Sequence, residues 1–138
     1  MKIKNEMANW GPRSASYWMT LLIAAGIIII GVRFMLVPRT GAAGFGIPLS
    51  SNLDLAFGRI KGIRDIFSGL ALLPLLFFRM KKATAYVFTA AIIVPATDCL
   101  LVYLNNGPIM SQLIHGITVV YMAITSYILL RDTKKTTA

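Results

Sequence analysis

From Phe57 to Phe78 the chain reads "FGRIKGIRDIFSGLALLPLLFF", and how this stretch is understood decides the fold. Its second half is apolar almost without interruption, while its first half holds Arg59, Lys61, Arg64 and Asp65. A soluble amphipathic helix spreads its polar residues along its whole length. Here the charges crowd one end, which is the pattern of a helix entering a bilayer with its charged rim near one interface.

The rest of the chain agrees. Of its 138 residues 57% are hydrophobic and only 14% charged, against about 25% charged in a soluble domain. Mean hydropathy is +0.71. A bilayer core asks for about 20 mostly apolar residues per helix. Four stretches meet that need: Tyr17–Val37, Phe57–Phe78, Ala83–Leu104 and Ile109–Leu130. The expected fold is therefore all-α, one integral membrane domain over residues 1–138 built as an antiparallel four-helix bundle. Pro38–Ala56 forms an outer loop, and no length remains for a soluble domain. A cleaved signal peptide competes for the N-terminus, since Lys2, Lys4 and Arg13 precede an apolar run. That run is long for a signal core and no small-residue site closes it, so the first helix is expected to stay.

Lysine and arginine collect in cytoplasmic loops. With four spans, the N-tail (Lys2, Lys4, Arg13), the "RMKK" turn (Arg79, Lys81, Lys82) and the C-tail (Arg131, Lys134, Lys135) share one side. Both termini are thus predicted cytoplasmic, in a multi-pass protein of the cell (inner) membrane. The net charge of +9 sits at helix ends and in short loops, which suits lipid headgroups and not nucleic acid. Five cations break the pattern: Arg33, Arg39, Arg59, Lys61 and Arg64 lie in or beside the outer connection. Snorkelling to phosphates accounts for Arg39 and Arg59; Arg33 and Arg64 lie too deep for that explanation to suffice, and Lys61 is open to either.

On a 3.6-residue wheel Lys61, Arg64, Asp65 and Ser68 fall within about 100° of one another. Beside them Gly58, Gly62 and Gly69 make a small-residue stripe that lets another helix come close. On the last helix Ser111, His115, Thr118, Met122 and Thr125 share one face by their spacings of four and three. Asp98 stands alone in "IIVPATDCLLVY", three residues after Pro95, a helix-bending residue. At 1.5 Å per residue, Arg33, Arg64, Asp65, Asp98 and His115 reach one level in the outer half of the bilayer. Ionisable groups there are costly, so they must pair or face a wet cavity. The expected pairs are Asp98 with His115, and Asp65 with Arg33 or Arg64.

Other chemistry is poorly represented. The single Cys99 excludes an intramolecular disulfide and a CxxC pair and reads as a small packer. One histidine with scattered aspartates lacks the ligand spacing of a zinc site, so no metal and no cofactor is expected. "GAAGFGIP" (Gly41–Pro48) lacks the strand and the GK[ST] ending of a phosphate loop. It fits an interfacial turn that caps the polar layer, with Phe45 and Ile47 dipping into the membrane.

Taken together, "VPRTGAAGFGIP" (Val37–Pro48), "KGIRDIFSGL" (Lys61–Leu70), "VPATDCLLV" (Val94–Val102) and "IHGITVV" (Ile114–Val120) resemble the family catalogued as domain of unknown function 4267. The resemblance spans Val32 to Ile128. It implies small four-helix membrane proteins with Gly46, Gly62, Arg64, Asp65, Asp98, His115 and Gly116 as motif positions, and implies no activity.

These residues lead to an intramembrane polar pocket binding a small amphiphile with an anionic or carbonyl head. Arg33, Arg64, Asp65, Lys61, Ser68, Ser111 and Thr118 would bind it, and Asp98 with His115 would supply acid–base chemistry. Membrane lipids are the expected surroundings. A second copy of the chain is a further expected partner, meeting the first through Gly58, Gly62 and Gly69. Two other classes compete: an oligomeric transporter of a small solute or protons, and a helper subunit without chemistry.

Overall fold

A computed structural model describes residues 10–134, with side chains through Arg131; Lys2, Lys4, Glu6 and Lys135 lie outside the described residues. Every regular element within them is helical. They are α1 (Ala15–Leu36), α2 (Pro38–Phe45), α3 (Asn52–Phe77), α4 (Lys81–Ala91), α5 (Ile93–Leu104) and α6 (Ile109–Lys134). Three helical stretches among the described residues are long and apolar enough to cross a membrane: α1, α4 with α5 (Lys81–Leu104), and α6 over Ile109–Arg131. With 26 residues α3 has the length, about 39 Å at 1.5 Å per residue, but its N-terminal half carries the charges.

Large apolar side chains cover the outside. Leu53, Phe77, Ile109 and Ile29 are each at least 69% exposed, as lipid contact requires and water would penalise. Interior packing divides into two regions. Trp10, Leu72, Leu76, Ala85, Phe88, Met122 and Leu129 make a closed core toward the end that holds the Phe78–Met80 turn. Trp10 is 2% exposed and its indole N–H donates to Ser16 Oγ at 3.0 Å, which satisfies the one polar atom that its burial would strand.

Glycine sets the α1–α3 contact. A Cβ on Gly62 would stand 2.8 Å from the carbonyl oxygen of Gly31, and one on Gly69 2.6 Å from that of Ala24. Backbone therefore meets backbone along this seam, as small-residue stripes allow. The stripe that the sequence offered to a second copy is filled within the chain instead: α1 covers Gly62 and Gly69, while Pro38 and Leu49 cover Gly58.

The connection expected as a loop over Pro38–Ala56 is largely helical. Pro38 opens α2 at its first turn, where the missing N–H costs nothing. Gly46 closes it in the left-handed region at φ 106°, its N–H bonded to the carbonyls of Ala42 and Ala43. Only glycine fits, because a Cβ there would lie 2.7 Å from Ser111 Cβ. In turn α3 starts five residues before Phe57 because Ser51 and Asp54 form a capping box. The Ser51 backbone N–H donates to Asp54 Oδ2 at 2.7 Å and Ser51 Oγ accepts from Asp54 N–H at 3.2 Å, which satisfies helix-end donors reciprocally. Further on, the span 81–104 breaks at Ile92, between α4 and α5. The cause is Pro95, which has no N–H to return to the preceding turn.

Candidate functional site

Lys61 stands at the centre of the polar layer. Its Nζ lies 2.7 Å from Asp65 Oδ2, one turn on along α3, and 3.8 Å from Asp98 Oδ2 on α5. The same ammonium sits 5.1 Å from the ring centroid of Phe34 on α1 and 4.8 Å from that of Phe45 at the end of α2. Two carboxylates and two aromatic faces thus enclose one cation, and in a desolvated setting each such ring is worth about 2 kcal/mol. Asp65 is 2% exposed, so its charge depends on that ammonium. Arg64 adds only a 3.6 Å contact to the other carboxylate oxygen, from a side chain 57% exposed.

His115 joins the group through Phe45. Its Nε2 lies 3.1 Å from the Phe45 carbonyl oxygen, and the two rings meet edge to face at 4.7 Å. A carbonyl only accepts, so Nε2 carries the hydrogen of this bond. The left-handed turn at Gly46 is what aims this carbonyl, since the adjoining Gly46 and Ile47 N–H groups are tied back to α2.

Below these groups lies a cavity of about 400 Å³, near the lower end of small-molecule pockets. Lys61, Asp65, Ser68, Asp98, His115 and Thr118 are the polar part of its wall, and α1 contributes Leu22, Ile23, Gly26, Ile27 and Ile30. Leu22, Ile30, Phe67 and Ile114 line it and yet are 50–69% exposed, so the wall opens sideways to the apolar surroundings. Both hydroxyls in the wall are committed: Ser68 donates to the Arg64 carbonyl at 2.9 Å and Thr118 to the Ile114 carbonyl at 2.8 Å.

Several sequence expectations change here. Arg33 does not reach the layer; it is exposed on α1 and its guanidinium lies beside Gly44. Arg64 stands at the rim and lines no part of the cavity, and Ser111 is buried above it against Gly46. Asp98 pairs with Lys61 and not with His115, whose ring nitrogen goes to a backbone carbonyl. Asp65 takes Lys61 as its close partner, since at i+4 on one helix the two side chains are neighbours. Phe34 and Phe45 were missed as ring partners, although the "GFG" ending of α2 marks a helix C-terminus whose carbonyls need donors. Among the described residues no three His, Cys, Asp or Glu side chains gather closely enough to hold a metal ion.

The model of one protein family, described as domain of unknown function (DUF4267), matches residues 24–129. Every residue of the polar cluster falls inside that range. No curated protein and no solved structure matches the chain.

Proposed function

The chain belongs to the DUF4267 family, and we propose that it is a multi-pass membrane protein whose outer-leaflet cavity binds a small amphiphile drawn sideways from the bilayer. In this reading four spans form an antiparallel bundle in the cell (inner) membrane, with α3 as the charged fourth span and both termini cytoplasmic. Paired contacts support the antiparallel order. Gly31 meets Gly62 where Ala24 meets Gly69, and Cys99 reaches Gln112 where Thr89 reaches Ser126. The polar head rests among Lys61, Asp98 and His115, and the apolar body lies along α1 toward Leu22 and Leu72. Asp98 is an acceptor, Lys61 a donor and His115 a second titratable group beside them, an arrangement suited to moving a proton within a bound molecule.

One observation carries this reading: an apolar cavity is lined at one place by four ionisable side chains, Lys61, Asp65, Asp98 and His115, from three helices. A transporter would need the polar path to continue. Toward the other end the core is closed by Trp10, Leu76, Phe88 and Leu129, and the buried Thr20, Thr84 and Thr125 hydroxyls donate back to their own helices.

Gly26 supplies the test. It lines the cavity, and a Cβ there meets nothing within 4 Å. Gly26→Leu therefore starts its side chain in open space at the cavity wall, and replacing a helical glycine recovers up to about 1 kcal/mol. Mass spectrometry of protein extracted into mild detergent is expected to find a lipophilic molecule in the wild type and its loss in the equally stable variant. Equal retention by both, or none by either, removes the pocket and leaves the helper-subunit reading.

A further inference from the structure

The polar atoms that face the cavity are nearly all acceptors, which limits what head group can enter. The cation nearest Asp98 is Lys61, at 3.8 Å, a contact that leaves lone pairs of its carboxylate for a ligand. His115 has given its Nε2 hydrogen to the Phe45 carbonyl, so that hydrogen is not offered to a ligand. Ser68 and Thr118 have spent their hydrogens on carbonyls of their own helices and turn only lone pairs outward. The one donor, Lys61, is already shared between two carboxylates and two rings. Arg33 and Arg64, the cations that would draw an anion, stand outside the wall.

We propose that the site selects a neutral hydrogen-bond donor, a lipophilic alcohol, and rejects carboxylic acids; this rests on the pocket reading above. The hydroxyl hydrogen goes to Asp98, and the hydroxyl oxygen accepts from the remaining Lys61 N–H. An anion would meet two carboxylates against one ammonium in a low-dielectric setting, where like charges repel strongly. An ammonium head is disfavoured because the place enclosed by the carboxylates and rings is already held by Lys61.

The experiment uses the full chain in lipid nanodiscs with tritiated 1-dodecanol as probe. Unlabelled 1-dodecanol, dodecyl methyl ether and dodecanoate compete at matched mole fraction in the bilayer, and Gly26→Leu defines specific binding. The ether keeps the oxygen and loses the donor. A hydrogen bond to a charged acceptor is worth roughly a tenfold or greater change in affinity. The ether and dodecanoate are thus each expected to compete at least about tenfold more weakly than the alcohol. Ether equal to alcohol, or dodecanoate stronger than either, overturns the head-group assignment and leaves the pocket standing. Absence of any binding sensitive to Gly26→Leu overturns the pocket itself. The ligand series needs no substitution at Asp98, so its result does not depend on whether such a variant folds.

Discussion

Replacing Lys61 by methionine keeps the length of the side chain and removes its charge. Asp65, 2% exposed, then loses a partner at 2.7 Å. Breaking a buried ion pair from one side costs about 3–5 kcal/mol, because the charge left behind is uncompensated. Arg64 reaches Asp65 at 3.6 Å from a side chain that is 57% exposed, and such a contact returns at most about 1 kcal/mol. The net expectation for Lys61→Met is a loss of about 2–4 kcal/mol.

Asp65→Asn is expected to cost less. The ammonium it leaves still has Asp98 at 3.8 Å and two rings near 5 Å, and the asparagine oxygen can still accept its hydrogen bond. A loss of about 1–2 kcal/mol follows. The double variant carries neither charge of the closer pair. It should recover about 1–2 kcal/mol relative to Lys61→Met alone, since replacing both partners avoids the orphaned charge. Unfolding in mixed micelles, followed by circular dichroism, supplies all four corners of the cycle. The reasoning fails if Lys61→Met lies within about 1 kcal/mol of wild type, or if Asp65→Asn is the more damaging single change.

Two further outcomes follow from local geometry. Gly62→Ala drives a methyl group to 2.8 Å from the Gly31 carbonyl oxygen, so backbones must part at a cost of about 1–3 kcal/mol. Gly116→Ala meets nothing within 4 Å and is expected to be neutral or to stabilise by up to about 1 kcal/mol, measured in the same micelles. At the head of α3, the backbone N–H of Ser51, with the Ser50 hydroxyl, holds the Asp54 carboxyl below its ordinary value of 3.8. A lowered value in the folded state contributes stability above 3.8 that is lost as pH falls through the folded value. Between about pH 5 and 3 the wild-type midpoint should drop more steeply than that of Asp54→Asn, and parallel curves would refute the link.

How far the sequence reveals this site depends on which geometric quantity is asked for. Counting at 1.5 Å per residue grouped Arg33, Arg64, Asp65, Asp98 and His115, and of these five Asp65, Asp98 and His115 line the cavity. Rotation was harder, because it needs to be known which line of a helix faces its neighbour. On α3 that line is Gly58, Gly62 and Gly69, buried against α1 and the start of α2. At about 100° per residue, Asp65 lies about 40° from the middle of that line, Lys61 about 80°, Ser68 about 100° and Arg64 about 140°. The order of burial follows the angle, from Asp65 sealed inside to Arg64 at the rim. Arg33 obeys the same rule, since it stands about 200° around α1 from Gly31, the residue pressed on α3, and so turns outward. What rotation cannot supply is the Phe45 carbonyl. It comes from α2, a short helix whose end is fixed by a glycine at φ 106°, and a backbone acceptor leaves no mark on side-chain spacing. For that reason the partner of His115 lay outside what periodicity reports, whereas the glycine line already contained the substitution of Lys61 for Arg64 as the cation of this site.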